Sequence, residues 1–481
     1  MNDQTVLALA IVFPVVGSLL LPLIGKGSIR LASHASLCLV AGSLVASAAL
    51  LPAVLAGRAV SLGLDLPMGL SIAFSADALA VFMALVSSLI SFIIVLYSTS
   101  YISHYDHQRE YYSMVVLFLG GMMGIVYSAD LILLYVFWEI TAITSWRLIG
   151  FFRKEDDVWR ANKAFLVTVF GAVAMLLGFV SIYAQTGTFD MATLRALLKG
   201  VPLPGITAAL ILLGILSKSA TLPFHTWLPD AGVAPSPVTA LLHAAVLVKI
   251  GVYAFARLFV ATFTLSEHTQ TWLLAFAAAS ALVSAGAALI ETDLKRLIAY
   301  STVSQIAFIF LGFAVGNQVG VAGAILYVLM HGLAKGALFL CAGIIEQNTG
   351  TRDITKLGGL LRTMPLTAVS FLVCSLSVMG IPPFGGFFSK YMVFSGAVEG
   401  GRLWIGFVFL AGAVLTMVYL FRVFNLVFLG DARMPEVREA SPVMIASVVI
   451  LAVLSLGAGL FVGVPAALAT TAARQIVGMV P

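Results

Sequence analysis

Charge is scarce in this sequence. Only 10% of its 481 residues are Asp, Glu, Lys or Arg, while 61% are hydrophobic and the mean hydropathy is +1.08; soluble globular chains carry about 25% charge. A sizeable water-soluble domain is excluded. Cysteine is nearly absent as well. Cys38, Cys341 and Cys374 stand far apart in apolar runs, with no CxxC pair and no Cys/His cluster of the spacing that holds zinc or an iron–sulfur centre. No cofactor or metal is therefore expected in this chain. The net charge of +5 is small and dispersed, which argues against nucleic acid as a partner. The sequence also lacks a carboxylate-rich or HxxxH set, a Ser/His/Asp arrangement, a phosphate loop and a dinucleotide fingerprint, so no catalytic centre is predicted. Before the first apolar run there is no basic n-region, and after it no small-residue cleavage pattern, so that helix is expected to be retained.

Long apolar runs are what the sequence has in abundance. A membrane helix needs about 20 mostly apolar residues, and fourteen such spans are predicted: 5–25, 31–55, 78–98, 111–128, 131–152, 163–185, 205–229, 236–261, 271–290, 297–315, 321–345, 363–399, 403–429 and 442–466. The fold class is all-α, a polytopic membrane protein embedded in a lipid bilayer. Loops after odd-numbered spans hold fourteen of the 26 Lys and Arg residues, against six on the other side. The positive-inside rule then puts both termini outside the cytoplasm.

Two spans are interrupted. Pro223 breaks the seventh, and Gly380, Pro382, Pro383, Gly385 and Gly386 break the twelfth. Each break has a lysine beside it, Lys218 and Lys390, and five crossings separate them. An odd number of crossings inverts the second unit relative to the first, and paired broken helices in inverted repeats point to an ion path near the membrane midplane. The chain therefore divides into a three-helix region (1–110), two five-helix repeats (111–261 and 271–429) and a C-terminal helix (442–466).

A charge inside the hydrocarbon costs at least about 2.5–3.5 kcal/mol, so each one needs a reason. Glu139, nine residues into LILLYVFWEITAITSW, is the one acid deep in a span. Lys218, Lys249, Lys335 and Lys390 compete for it, so some of these lysines must be neutral or held by water and backbone carbonyls. Burial lowers a lysine's proton affinity and a nearby carboxylate raises it; moving the partner switches the proton, which is what a relay requires. His331 and Lys335 share a helix face at i, i+4, and histidine exchanges protons most readily near neutrality. His225 and His243 flank the seventh and eighth spans as secondary candidates. Arg147, two turns after Glu139, is a third secondary candidate that either tunes that carboxylate or snorkels to the surface.

The run SKSATLPFHTWLPDAGVAPSPVTALLHAAVLVKIGVY at 217–253 resembles the antiporter-like subunits shared by respiratory complex I, Mrp-type multisubunit cation/proton antiporters and energy-converting membrane hydrogenases. LLYVFWEITAITSW, ETDLKRLIAYSTVSQIAF, HGLAKGALFLCAGIIEQNTGTRDITKLGGL and MGIPPFGGFFSK look like the same superfamily, and the WEIT and TGTRDI stretches look closest to the N-terminal module of the large Mrp-type A protein. The resemblance implies proton translocation through Glu139 paired with Lys218, a central connection through Lys249, His331 and Lys335, and an exit at Lys390. It implies other antiporter-like and small membrane subunits as partners, with either sodium exchange or a peripheral redox arm as the coupled process. Any iron–sulfur, flavin or NiFe centres would then belong to partner subunits, in a bacterial or archaeal cytoplasmic membrane. The chain departs from that pattern by stopping after the fourteenth helix. A stand-alone secondary transporter of a small solute is the alternative, and a scaffold of static salt bridges the third reading.

Overall fold

The computed structural model describes residues 2–65, 71–434 and 436–478. Among these, twelve helices are long and apolar enough to cross a bilayer, and two shorter apolar helices, Gly205–Lys218 and Pro365–Met379, begin the broken crossings. Together they give the fourteen crossings expected. In chain order the elements are α1 (Asp3–Gly27), α2 (Ile29–Ala49), β1 (Val60–Asp65), β2 (Ser71–Ala76), α3 (Ala78–Tyr101), α4 (Gln108–Tyr127), α5 (Leu131–Ile149), α6 (Glu155–Thr186), α7 (Gly205–Lys218), α8 (Ser236–Val260), α9 (Glu267–Ile290), α10 (Leu294–Val315), α11 (Gln318–Thr349), α12 (Pro365–Met379), α13 (Gly385–Glu399), α14 (Leu403–Phe428), α15 (Pro442–Leu460) and α16 (Gly463–Val477).

Local sequence sets the helix ends, and it does so twice over. Asp130 caps α5 by accepting from the Ile132 and Leu133 amides, and Asp293 caps α10 by accepting from the Arg296 amide; such caps satisfy backbone donors that a helix start leaves unpaired. The helix after each ends at a glycine in the left-handed region, Gly187 and Gly350, where a side chain would be strained. The chain then returns so that Asp190 pairs with Asp130, and Asp353 with Asp293, in matching antiparallel bridges. Thus QTGTFD and NTGTRD are two copies of one turn. Five crossings lie between the copies, so they emerge on opposite sides of the membrane.

The breaks repeat as well. After α7 and after α12 the chain takes one left-handed residue, Ala220 or Gly380, and then a cis X-Pro bond at Leu222–Pro223 or Pro382–Pro383. The Thr221 and Ile381 amides bond back to the Leu216 and Leu376 carbonyls in the same way. Aligning the breaks places Lys218 opposite Val378, so the two lysines occupy different positions: Lys218 ends the helix before its break, whereas Lys390 lies in α13, after the second break.

At the centre stands α11, which packs against α3, α8, α10, α12, α13, α15 and α16 and is almost wholly buried. Its neighbour α8 is irregular, with π-helical turns at Leu241–Ala245 and Ala256–Val260. Single π turns inside helices recur at functional sites.

Between the predicted spans 31–55 and 78–98, β1 and β2 form an antiparallel ribbon, in register Val60↔Ala76; VSLGLD alternates apolar and polar residues, which suits a strand and not a helix. Two expectations are corrected. The predicted spans 163–185 and 321–345 extend to the 32-residue helices α6 and α11, because polar turns at their ends continue the helix beyond the apolar run. The predicted helix 442–466 is two helices, α15 and α16, separated by a turn at Phe461 and Val462.

Candidate functional site

Four lysines lie in the membrane interior, and each amine is met by a neutral group. Lys218 Nζ donates to the Trp138 carbonyl at 3.2 Å and lies 5.4 Å from the centre of the Trp138 ring. Lys335 Nζ donates to the Ile298 carbonyl at 3.2 Å and to Ser301 Oγ at 2.5 Å. Lys390 Nζ donates to the Val378 carbonyl at 2.6 Å, in the turn of α12 just before the second break, and lies 5.7 Å from the Phe308 and Tyr327 rings. An ammonium over an aromatic face at such distances gains electrostatic stabilisation without a counter-ion. Lys249, between the π turns of α8, lies 2.5 Å from Nδ1 of His331 on α11. Among the described residues none of these four lysines stands in an ion pair.

Glu139 is half-buried, and its Oε1 is buried without a hydrogen-bond partner. It forms no salt bridge with Lys218; Lys218 reaches the carbonyl of the preceding residue instead. Of the secondary candidates, His243 lies in the first π turn of α8 with its ring 4.3 Å from that of Phe339, and both its nitrogens lack partners. His331 Nε2 and His225 Nδ1 are likewise buried without partners. His225 lies in the turn after Pro223, half-buried. Arg147 is held at the end of α5, with its side chain 30% exposed. Its guanidinium forms a two-pronged pair with Glu110 on α4, which also takes Arg153 Nη2 at 2.6 Å. It fastens α4 to α5 at their shared end.

Sequence reasoning missed two further groups. Lys295 looks like a loop charge, yet its side chain is 2% exposed and pairs with Glu346 at 2.6 Å. Arg257, counted as a span-end charge, donates to both oxygens of Asp77 at 2.5 and 2.7 Å, joining α8 to the start of α3. The second group is uncharged: Ser301 and Gln305 on α10, Tyr327 on α11, and Thr416 and Tyr419 on α14, joined by hydrogen bonds beside Lys335. Its trace in the sequence is the polar run STVSQ at 301–305 inside an apolar helix. Among the described residues, no three His, Cys, Asp or Glu side chains gather closely enough to hold a metal.

The family described as "NADH:quinone oxidoreductase/Mrp antiporter, TM" matches residues 128–416. The chain belongs to this family. A second match, to the N-terminus of complex I chain 5, covers residues 66–112. The A1 component of the Na(+)/H(+) antiporter of Staphylococcus saprophyticus is 38% identical over 403 residues, which are 77% of this chain and 50% of that protein. The corresponding A component of the Na(+)/H(+) antiporter of Alkalihalophilus pseudofirmus is 37% identical over 433 residues, 82% of this chain and 53% of that one. The chain thus spans about half the length of these curated relatives. Among solved structures, a chain of the Mrp complex from Dietzia sp. superposes with a TM-score of 0.90 at 25% identity, covering 99% of this chain and 98% of that one. A chain of the membrane-bound sulfane sulfur reductase, an archaeal respiratory membrane complex, also gives 0.90, at 26% identity and 98% coverage of each. All six principal residues, Glu139, Lys218, Lys249, His331, Lys335 and Lys390, fall inside the segment that matches the antiporter family.

Proposed function

We propose that this antiporter-like chain carries protons across the membrane, as one subunit of a larger complex, along Glu139, Lys218, Lys249, His331, Lys335 and Lys390. The observation that carries the reading is the Lys249–His331 contact at 2.5 Å, fully buried and without a carboxylate. A static salt-bridge scaffold would match each buried cation with an anion, because an unpaired buried charge is strongly destabilising. Here the amines sit on carbonyls, a hydroxyl and an imidazole, groups that tolerate both the neutral and the charged amine. Orphaned polar groups, such as both His243 nitrogens and His331 Nε2, each cost about 1–3 kcal/mol. A scaffold has no use for that cost; a path whose groups change protonation and partner does. Glu139 fits the same role, since it follows Trp138, whose carbonyl takes Lys218, and among the described residues no salt bridge fixes its carboxylate.

In this reading the repeats run over 111–261 and 271–429, both termini lie outside the cytoplasm, and the chain works in a cytoplasmic membrane. The host we favour is a cation/proton antiporter of the Mrp type, on the 38% and 37% identity to proteins named for Na(+)/H(+) antiport. The full-length superposition on a chain of the sulfane sulfur reductase supports a second host, a redox-driven complex. Gentle detergent purification from the native membrane, with subunits identified by mass and iron and flavin assayed, separates them. Membrane subunits alone fit the antiporter; co-purifying iron–sulfur or flavin chains fit the second host. A chain that runs alone and still transports contradicts both.

A further inference from the structure

The hydrogen-bonded group beside Lys335 has a direction, and that direction can be worked out atom by atom. The Thr416 hydroxyl gives its proton to the Gly412 carbonyl at 2.6 Å, so its oxygen can only accept. It accepts from Tyr419 at 3.3 Å and from the Gln305 side chain at 3.2 Å. The atom of Gln305 facing Thr416 must therefore be the amide nitrogen, which leaves the amide oxygen to accept from the Tyr327 hydroxyl. Having given its proton to Thr416, Tyr419 accepts from Ser301 at 2.7 Å, and Ser301 accepts from Lys335 at 2.5 Å. The chain of donors therefore runs from Lys335 through Ser301 and Tyr419 to Thr416, and a separate donor, Tyr327, meets the other end of Gln305. All of these side chains are buried.

Hydroxyls and carboxamides differ in what they can pass on. A hydroxyl accepts and donates at one oxygen, so a proton arriving on one side releases another on the far side. A carboxamide donates only at nitrogen and accepts only at oxygen; carrying a proton across it would require protonating the amide or converting it to the imidic acid, neither of which is accessible near neutrality. Beyond the amide, the Tyr327 ring lies 5.7 Å from Lys390 Nζ and 6.2 Å, centre to centre, from the His331 ring. Among the described residues, Gln305 thus links the hydroxyls beside Lys335 to Tyr327, whose ring faces both Lys390 and His331.

We propose that Gln305 is a proton insulator: it ties α10, α11 and α14 together while blocking a hydroxyl short circuit between Lys335 and Lys390, so that protons pass between them only by way of groups that can change partner, His331 foremost. An uninterrupted wire would let protons run downhill without coupled work. The inference rests on the proton-relay reading above and adds to it a residue that acts by not conducting.

The test uses the intact complex in liposomes, with passive proton leak read by an internal pH dye after an imposed pH step and no transported cation present. Gln305→Glu puts in a near-isosteric group that can relay a proton, and Gln305→His a ring that can pass one between its two nitrogens; both should leak severalfold faster than the wild type. Gln305→Met, which conducts nothing, should show wild-type leak. If either conducting variant assembles with its full set of subunits and leaks no faster than Gln305→Met, the insulator assignment is overturned. Lys335→Ala, assayed for transport in the same liposomes, judges the relay separately: loss of transport keeps the relay, and wild-type transport defeats it whatever the leak shows.

Discussion

At the scale of single residues, buried charges fall into two kinds that the sequence does not separate. Lys295 and Arg257 are fixed by carboxylates, Glu346 and Asp77, whereas the four lysines of the proposed path rest on neutral acceptors. Fixed charges should behave as structure. Glu346→Ala leaves Lys295 buried beside Arg352 with no adequate counter-ion; breaking a buried pair costs about 3–5 kcal/mol, and we expect about 3 here, because Glu346 keeps some contact with solvent. The loss should appear as a lower thermal midpoint of the purified complex, while molecules that remain folded still transport. A variant of unchanged stability would show that the pair contributes nothing to the fold.

At the scale of elements, the two repeats are held together at their ends. Asp230, just after the first break, takes Lys163 of α6 at 2.7 Å and Arg296 of α10 at 2.6 Å, so one carboxylate joins helices of both repeats. Burial pushes the Asp230 carboxyl up, but the hydrogen bonds and charges of Lys163 and Arg296 outweigh it and hold the carboxyl below its ordinary value of 3.8. A carboxyl depressed in the folded state contributes stability that is fully present above that ordinary value and is lost as the pH falls through the folded one. Asp230→Asn should therefore cost roughly 1.5–3 kcal/mol at neutral pH, the range for charged hydrogen bonds. The gap between variant and wild type should close only in acid below 3.8, as followed by thermal melts across a pH series. An equal gap at every pH would assign the effect to packing instead of charge.

At the scale of the whole molecule, inversion is the organising feature, and it can be tested from the two copies of the repeated turn. Ala192 and Lys356 are both exposed beside these turns. In a Cys38→Ser background, Ala192→Cys should react with a membrane-impermeant thiol reagent only from outside the cell, and Lys356→Cys only from the cytoplasmic side. Labelling of both from one side would rule out the inverted arrangement.

Much of this architecture was legible in the sequence for a physical reason: charge and proline are costly in an apolar helix, so Lys218, Lys249, Lys335, Lys390 and both breaks stand out in a linear reading. Lys295 and Arg257 did not, because a charge near the end of a span looks the same whether it meets water or a buried carboxylate. The partner of Arg147 was hidden for the same reason, Glu110 being 37 residues away in the chain. Tyr327 and Tyr419 were invisible and Gln305 showed only as the end of the polar run STVSQ, since uncharged polar side chains are common in membrane helices and acquire meaning only when α10, α11 and α14 bring them into bonding distance. The different placement of Lys218 and Lys390 about their breaks needed the backbone, because only matching the breaks residue by residue shows that the two positions differ.

The central claim is that buried lysines must release protons, and the most direct measurement substitutes one with a cation that cannot. Arginine keeps the charge of Lys249 but is not deprotonated in proteins. The measurement is cation-driven pH-gradient formation, read by dye quenching in everted vesicles that carry the intact complex with Lys249→Arg and its full complement of subunits verified. The account predicts an assembled complex with transport at the level of vesicles lacking the protein; transport at the wild-type rate would mean that Lys249 holds charge without passing a proton.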